Sequence, residues 1–188
     1  MGGTTEFERK VRMERRLKTG EVVLRFVMVA LAILSAERVA TDTQTRSIFS
    51  INKRAKFTDM KALLFLVTIN GIVAAYSFVQ GLRCVISMYI GIPLINKPLA
   101  WLIFGFDQTI AYMSLAAAAA AAESAYLSKR GQKEFQWIQV CDLFGKFCTQ
   151  VGEGLVTAFL VSLCLITVSG LSAYHLFRLY GSKGKSVQ

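Results

Sequence analysis

Two residues in this chain are of the kind that does chemistry inside a membrane. Asp107 is the one full charge in the run 101–122, WLIFGFDQTIAYMSLAAAAAAA, which is close to the roughly 20 residues needed to cross a bilayer core. A carboxylate in hydrocarbon costs at least about 2.5 kcal/mol even on the lenient insertion scale. Such a group needs a partner or a task. Arg25, alone in another long apolar stretch, is the partner on offer. Its other option is to snorkel, the long stem carrying the guanidinium to the interface, and snorkelling is compatible with pairing. The alternative task for Asp107 is to carry ions or protons in a small channel or transporter. No broken-helix pair, internal repeat or series of acids along the apolar runs accompanies it.

Other reactive groups are few. Cys141 and Cys148, in CDLFGKFC, can close a disulfide in an oxidising compartment. That requires their Cα atoms to come within about 7 Å, which spacing does not decide. A metal site would need two more good ligands, and the sole histidine, His175, lies at the far end of the last apolar run. Cys84, beside Arg83, is either a palmitoylation site or a free thiol. No phosphate-binding glycine loop, nucleophile elbow or HExxH occurs. The chain therefore reads as a non-enzyme with no catalytic residue, no cofactor and no metal. The formal net charge of +10 fits juxtamembrane Lys and Arg facing anionic lipid. No recognition helix, zinc spacing or aromatic motif points to nucleic acid.

The elements that position these groups follow from segregation. Of the 188 residues 54% are hydrophobic, and the charges cluster between long apolar runs. This is the pattern of several membrane spans rather than of a soluble core. Residues 1–20 read as a cytoplasmic tail, rich in Arg and Lys. Residues 21–180 read as a membrane domain with spans at about 21–40, 61–81, 101–122 and 151–177, the first acting as an uncleaved signal. Residues 181–188 read as a second cytoplasmic tail. Pro93 and Pro98 punctuate the second connection, and Trp137 is an interface-type residue in the third. Lys and Arg are nearly balanced across the two sides, so the cluster preceding the first span favours cytoplasmic termini. The fold class is an all-α, four-transmembrane-helix bundle.

Small and polar residues recur at three-four spacing and let helices approach. In the second span these are Asn70, Ala74, Ser77 and Gly81. In the third they are Ala111, Ser114, Ala118 and Ala121, following Asp107. In the fourth they are Gly154, Ala158, Ser162, Ser169 and Ala173. A compact bundle would not turn all of these inward, so homo-oligomers are expected, and hetero-oligomers with related four-span proteins, with membrane lipid as the surroundings. In an up-down bundle the first and third spans run in the same direction. Arg25 lies about four residues into its span and Asp107 about seven, so at 1.5 Å per residue their depths differ by about 5 Å. An arginine side chain covers that difference.

Three segments carry a resemblance: FDQTIAYMSLAAAAAAAESAYL, FGKFCTQVG, and Arg25 in the first span. Together they resemble the Casparian strip membrane domain protein-like family of plant four-span, MARVEL-type membrane proteins, over about 21–180. The resemblance implies that Arg25 and Asp107 are the family's paired first-span and third-span charges. It also implies a plasma-membrane scaffold that self-associates and organises cell-wall-modifying partners. The founding members carry a signature in the first extracellular loop, and TQTRSIFSINKRAKFTD does not match it. The resemblance is therefore to the wider "-like" relatives.

Overall fold

A computed structural model describes residues 3–41, 43–48, 51–90, 96–131 and 139–181. Pro93, Trp137 and the tail 182–188 lie outside the described residues. Among those described, four long helices form the body: α1 (Gly3–Ala40), α2 (Lys61–Ile90), α3 (Lys97–Arg130) and α5 (Gly145–Gly181). A short helix, α4 (Val140–Leu143), precedes α5. Two strands, β1 (Thr43–Ile48) and β2 (Ile51–Lys56), make an antiparallel hairpin in register from Thr43↔Lys56 to Ile48↔Ile51. The sequence predicts only a loop there. The β-branched residues Thr43, Thr45, Ile48 and Ile51 favour the extended backbone.

The helices outrun the predicted spans. α1 continues through the basic N-terminal segment without a break. Its residues, apart from Gly3 and Gly20, do not oppose helix. α2 likewise runs on to Ile90. Pro98 sits in the first turn of α3, where its missing N–H costs nothing. Gly131 ends α3 at φ 63°, a conformation suited to glycine, and its N–H donates to the Leu127 carbonyl at 2.8 Å.

α1 and α3 each pack against both α2 and α5, which closes a ring with α1 and α3 on one diagonal. Buried positions step by three and four: 25, 28, 32, 35 and 39 on α1, and 147, 151, 154, 158, 161, 165 and 168 on α5. This is the seam of an antiparallel, coiled-coil-like bundle. The interior is small and polar, with Arg25, Ser35, Asn70, Asp107, Ser114 and Ser162 buried among Val, Leu and Ala. The outside is apolar: Ile72, Val79, Leu102, Phe106, Val156 and Leu163 are each at least half exposed. In water such a surface would aggregate; in a bilayer it meets hydrocarbon. Segments 61–90, 98–130 and 145–174 are long and apolar enough to cross a membrane. α1 is undervalued by hydropathy alone, because Glu21, Arg25, Glu37 and Arg38 count against it wherever they point. The chain is a helical, multi-pass membrane bundle.

Candidate functional site

Asp107 projects from α3 onto the bundle axis and is fully buried. A carboxylate offers about four lone-pair sites, and four donors fill them. Arg25 of α1 forks across both oxygens, Nη1 to Oδ1 and Nη2 to Oδ2, each at 2.9 Å. The Tyr76 hydroxyl of α2 donates to Oδ1 at 2.8 Å, and the Ser172 hydroxyl of α5 donates to Oδ2 at 2.6 Å. One side chain thus ties down all four long helices. The fork-to-fork pair is the strongest ion-pair geometry available to these groups.

Arg25 is turned inward and wholly buried. Glu21, one turn earlier on α1, lies 3.6 Å from Nη2. The Tyr76 ring stands 5.6 Å from the guanidinium carbon, a cation–π distance. α2 lies against α1 here with room to spare: a Cβ on Gly81 would meet the Phe26 ring at 3.5 Å and the Arg25 Cβ at 3.7 Å, ordinary contacts.

Two further polar ties sit at other depths. Near the opposite end Ser35 donates to the Gly154 carbonyl at 2.8 Å, and Asn70 Nδ2 donates to the Ser35 hydroxyl at 3.0 Å. This links α1, α2 and α5. A Cβ on Gly154 would fall 2.6 Å from the Val39 Cγ2 and 3.3 Å from the Ser35 carbonyl oxygen, so the α1–α5 approach requires glycine. Between these levels Ser114 and Ser162 join α3 to α5 at 2.9 Å. Ser162 also donates to the Ala158 carbonyl at 3.0 Å, which leaves Ser114 as the donor of the shared bond.

The order of ties gives the helix directions. From 25 to 35 along α1, the partners run from 76 to 70 on α2 and from 172 to 154 on α5, and from 107 to 114 along α3 the partners on α5 run from 172 to 162. α1 and α3 are therefore parallel, and the other two run against them.

Of the packing residues read from sequence, Asn70, Ser114, Ala118, Gly154, Ala158 and Ser162 are buried between helices. Ala74 is half-buried, and its neighbour Val73 takes the central position. The small-residue faces of α3 and α5 are used inside the bundle, against the expectation that some would be left for neighbours. Ser77 is buried, with no partner for its hydroxyl. Cys141 and Cys148 are bonded, Cα atoms 5.7 Å apart, joining α4 to the first turn of α5. Cys84 and Cys164 are free thiols. Among the described residues no group of His, Cys, Asp and Glu could hold a metal. Sequence reasoning missed Tyr76 and Ser172. The available signal was a polar side chain in each remaining span at the depth of Asp107.

The chain matches the Casparian strip membrane protein domain over residues 14–164. It is 68% identical over 188 residues to CASP-like protein 2BC2 of Picea sitchensis, covering 100% of this chain and 79% of that protein. It is 58% identical over 175 residues to CASP-like protein 2B1 of Vitis vinifera, covering 93% and 87%. Against CASP-like protein 2B2 of Arabidopsis thaliana the identity is 47% over 180 residues, covering 96% and 88%. No solved structure matches it.

Proposed function

We propose that this chain, which belongs to the Casparian strip membrane protein domain family, is a non-enzymatic scaffold of the plasma membrane. In this reading it associates laterally with copies of itself and with related four-span proteins, and the resulting patch organises cell-wall-modifying partners. One observation carries the reading: each Asp107 oxygen already accepts two donors from the surrounding helices. A carboxylate held this way positions helices. A channel or transporter would need it free to exchange partners, so the structure favours the scaffold over that alternative.

Lateral association then falls to the outer surface. Gly71 and Ala75 are exposed one turn apart on the lipid side of α2, and a Cβ on Gly71 would meet nothing within 4 Å. Small residues so spaced allow a second helix to approach closely. The Cys141–Cys148 bond lies at the hairpin end of the bundle. A disulfide persists outside the cytosol, which supports cytoplasmic termini.

Fluorescence recovery after photobleaching of a tagged copy in its own plasma membrane tests the reading. Stable patches with slow exchange are expected, and the Gly71→Leu/Ala75→Leu variant should exchange faster at unchanged thermal stability. Free, uniform diffusion of the unaltered chain would overturn the proposal.

A further inference from the structure

Tyr112 places a hydroxyl at the centre of the bilayer. Trp101, half exposed near the start of α3, is an interface-type residue, and Glu123, exposed on the same helix, marks the other edge. Tyr112 lies midway between them in sequence. At 1.5 Å per residue it is about 17 Å from either, in a hydrocarbon core about 30 Å thick. Tyr112 is 64% exposed. At this depth exposure means contact with acyl chains, which carry no acceptor, while water and lipid oxygens stay at the edges.

The hydroxyl is held but not satisfied. Gln108 Nε2 donates to it at 2.8 Å, and Ser169 donates to Gln108 Oε1 at 2.5 Å. Among the described residues no acceptor receives the Tyr112 proton. The amide nitrogen keeps a second hydrogen, and the phenol oxygen and Oε1 each keep a lone pair. Two open donors thus stand beside two open acceptors, a set complementary to itself. Neither residue takes part in the Asp107 node. Only protein offers hydrogen-bonding groups at this depth, and a second copy inserted the same way presents the identical set at the identical level. Space lies alongside: the α3–α5 groove, about 410 Å³, is lined by Phe104, Ala111, Leu115 and Gly170. A Cβ on Gly170 would meet nothing within 4 Å, so the groove is open to an incoming side chain.

We propose that the α3–α5 groove is an interface with a second copy of this chain, related by a two-fold axis along the membrane normal. Each Tyr112 ring enters the facing groove over Gly170. Its hydroxyl donates to the partner's Gln108 Oε1, and the partner's Gln108 Nε2 donates back to its oxygen. Symmetry repeats both bonds, and every open group is then satisfied. The inference rests on the lateral association proposed above and adds a second face to it. Gly71 and Ala75 belong to α2, which lies across the ring from α5. One isologous face closes a dimer; two on different sides join copies without closure, as a patch requires.

Photobleaching step counts on the labelled full-length chain, diluted in phosphatidylcholine vesicles, test the interface. In the Gly71→Leu/Ala75→Leu variant, whose α2 face is blocked, dimers that grow no further are expected. Adding Tyr112→Phe keeps the ring and should weaken dimerisation about fiftyfold, the effect of four transmembrane hydrogen bonds of average strength. Adding Gly170→Leu instead should abolish the dimer; if that variant fails to fold, Tyr112→Phe decides alone. With benzoylphenylalanine at position 115 and a mixture of isotope-labelled and unlabelled chains, cross-links between copies should fall within 104–115 and 163–174. Monomers of the α2-blocked variant, dimers indifferent to Tyr112→Phe, or cross-links confined to other helices or to lipid would overturn this interface while leaving the association of the unaltered chain standing. An unaltered chain that is itself monomeric would overturn both.

Discussion

Removing the Asp107 carboxylate should be among the most damaging single changes in this chain. In Asp107→Leu the Arg25 guanidinium keeps only Glu21, at 3.6 Å, as an anionic neighbour. Two unit charges about 4 Å apart interact by about 4 kcal/mol at the effective dielectric that suits protein sites. That agrees with the roughly 3–5 kcal/mol lost when one partner of a buried pair is removed. Tyr76 and Ser172 lose their acceptor as well, adding about 0.6 kcal/mol each on the scale of transmembrane hydrogen bonds. Ser172 recovers part of this by turning to a carbonyl of its own helix. Arg25→Met should cost a similar amount, because it strands the carboxylate. The double variant, which removes both charges at similar volume, should fall within about 1–2 kcal/mol of the unaltered chain, since apolar replacement of a whole buried pair is often near neutral. Reversible unfolding in lipid bicelles measures the cycle, and delivery to the cell surface gives a second readout. A coupling of about 3 kcal/mol or more is expected. Coupling below about 0.5 kcal/mol, the usual tolerance of additivity, would refute the reasoning.

The other expectations are smaller and separable. Tyr76→Phe and Ser172→Ala should each lower stability by roughly 0.6–1.7 kcal/mol and couple to Asp107 in the same unfolding assay; full additivity would remove them from the node. Gly154→Ala should cost about 1–3 kcal/mol by overpacking against Val39, with partial rescue by Val39→Ala. Gly81→Ala, where only ordinary contacts await, should be neutral or stabilising by about 0.5–1 kcal/mol; an equal loss at both glycines would contradict this geometry. Cys141→Ser should destabilise by about 2–4 kcal/mol, and alkylation mass spectrometry of the unaltered chain should find Cys84 and Cys164 modified but Cys141 and Cys148 protected.

By itself the sequence determined the membrane class, the positions of the long apolar helices and the pairing of Arg25 with Asp107. These rest on local composition and on one strong rule, that a charge in hydrocarbon seeks its opposite. The packing positions Asn70, Ser114, Ala118, Gly154, Ala158 and Ser162 were legible for a similar reason, since three-four spacing is a property of a single helix. Tyr76 and Ser172 were not, because rotation about each helix axis and depth between helices decide which hydroxyls reach Asp107. Those quantities are set jointly by all four helices. The use of the small-residue faces also had to wait for the fold: an alanine stripe fits a helix of the same chain as well as one of a neighbour, and only the ring order of α1, α2, α3 and α5 assigns it inward. The α3–α5 groove is furthest from the sequence. It is space that two helices leave between them, and no residue pattern within either one encodes it.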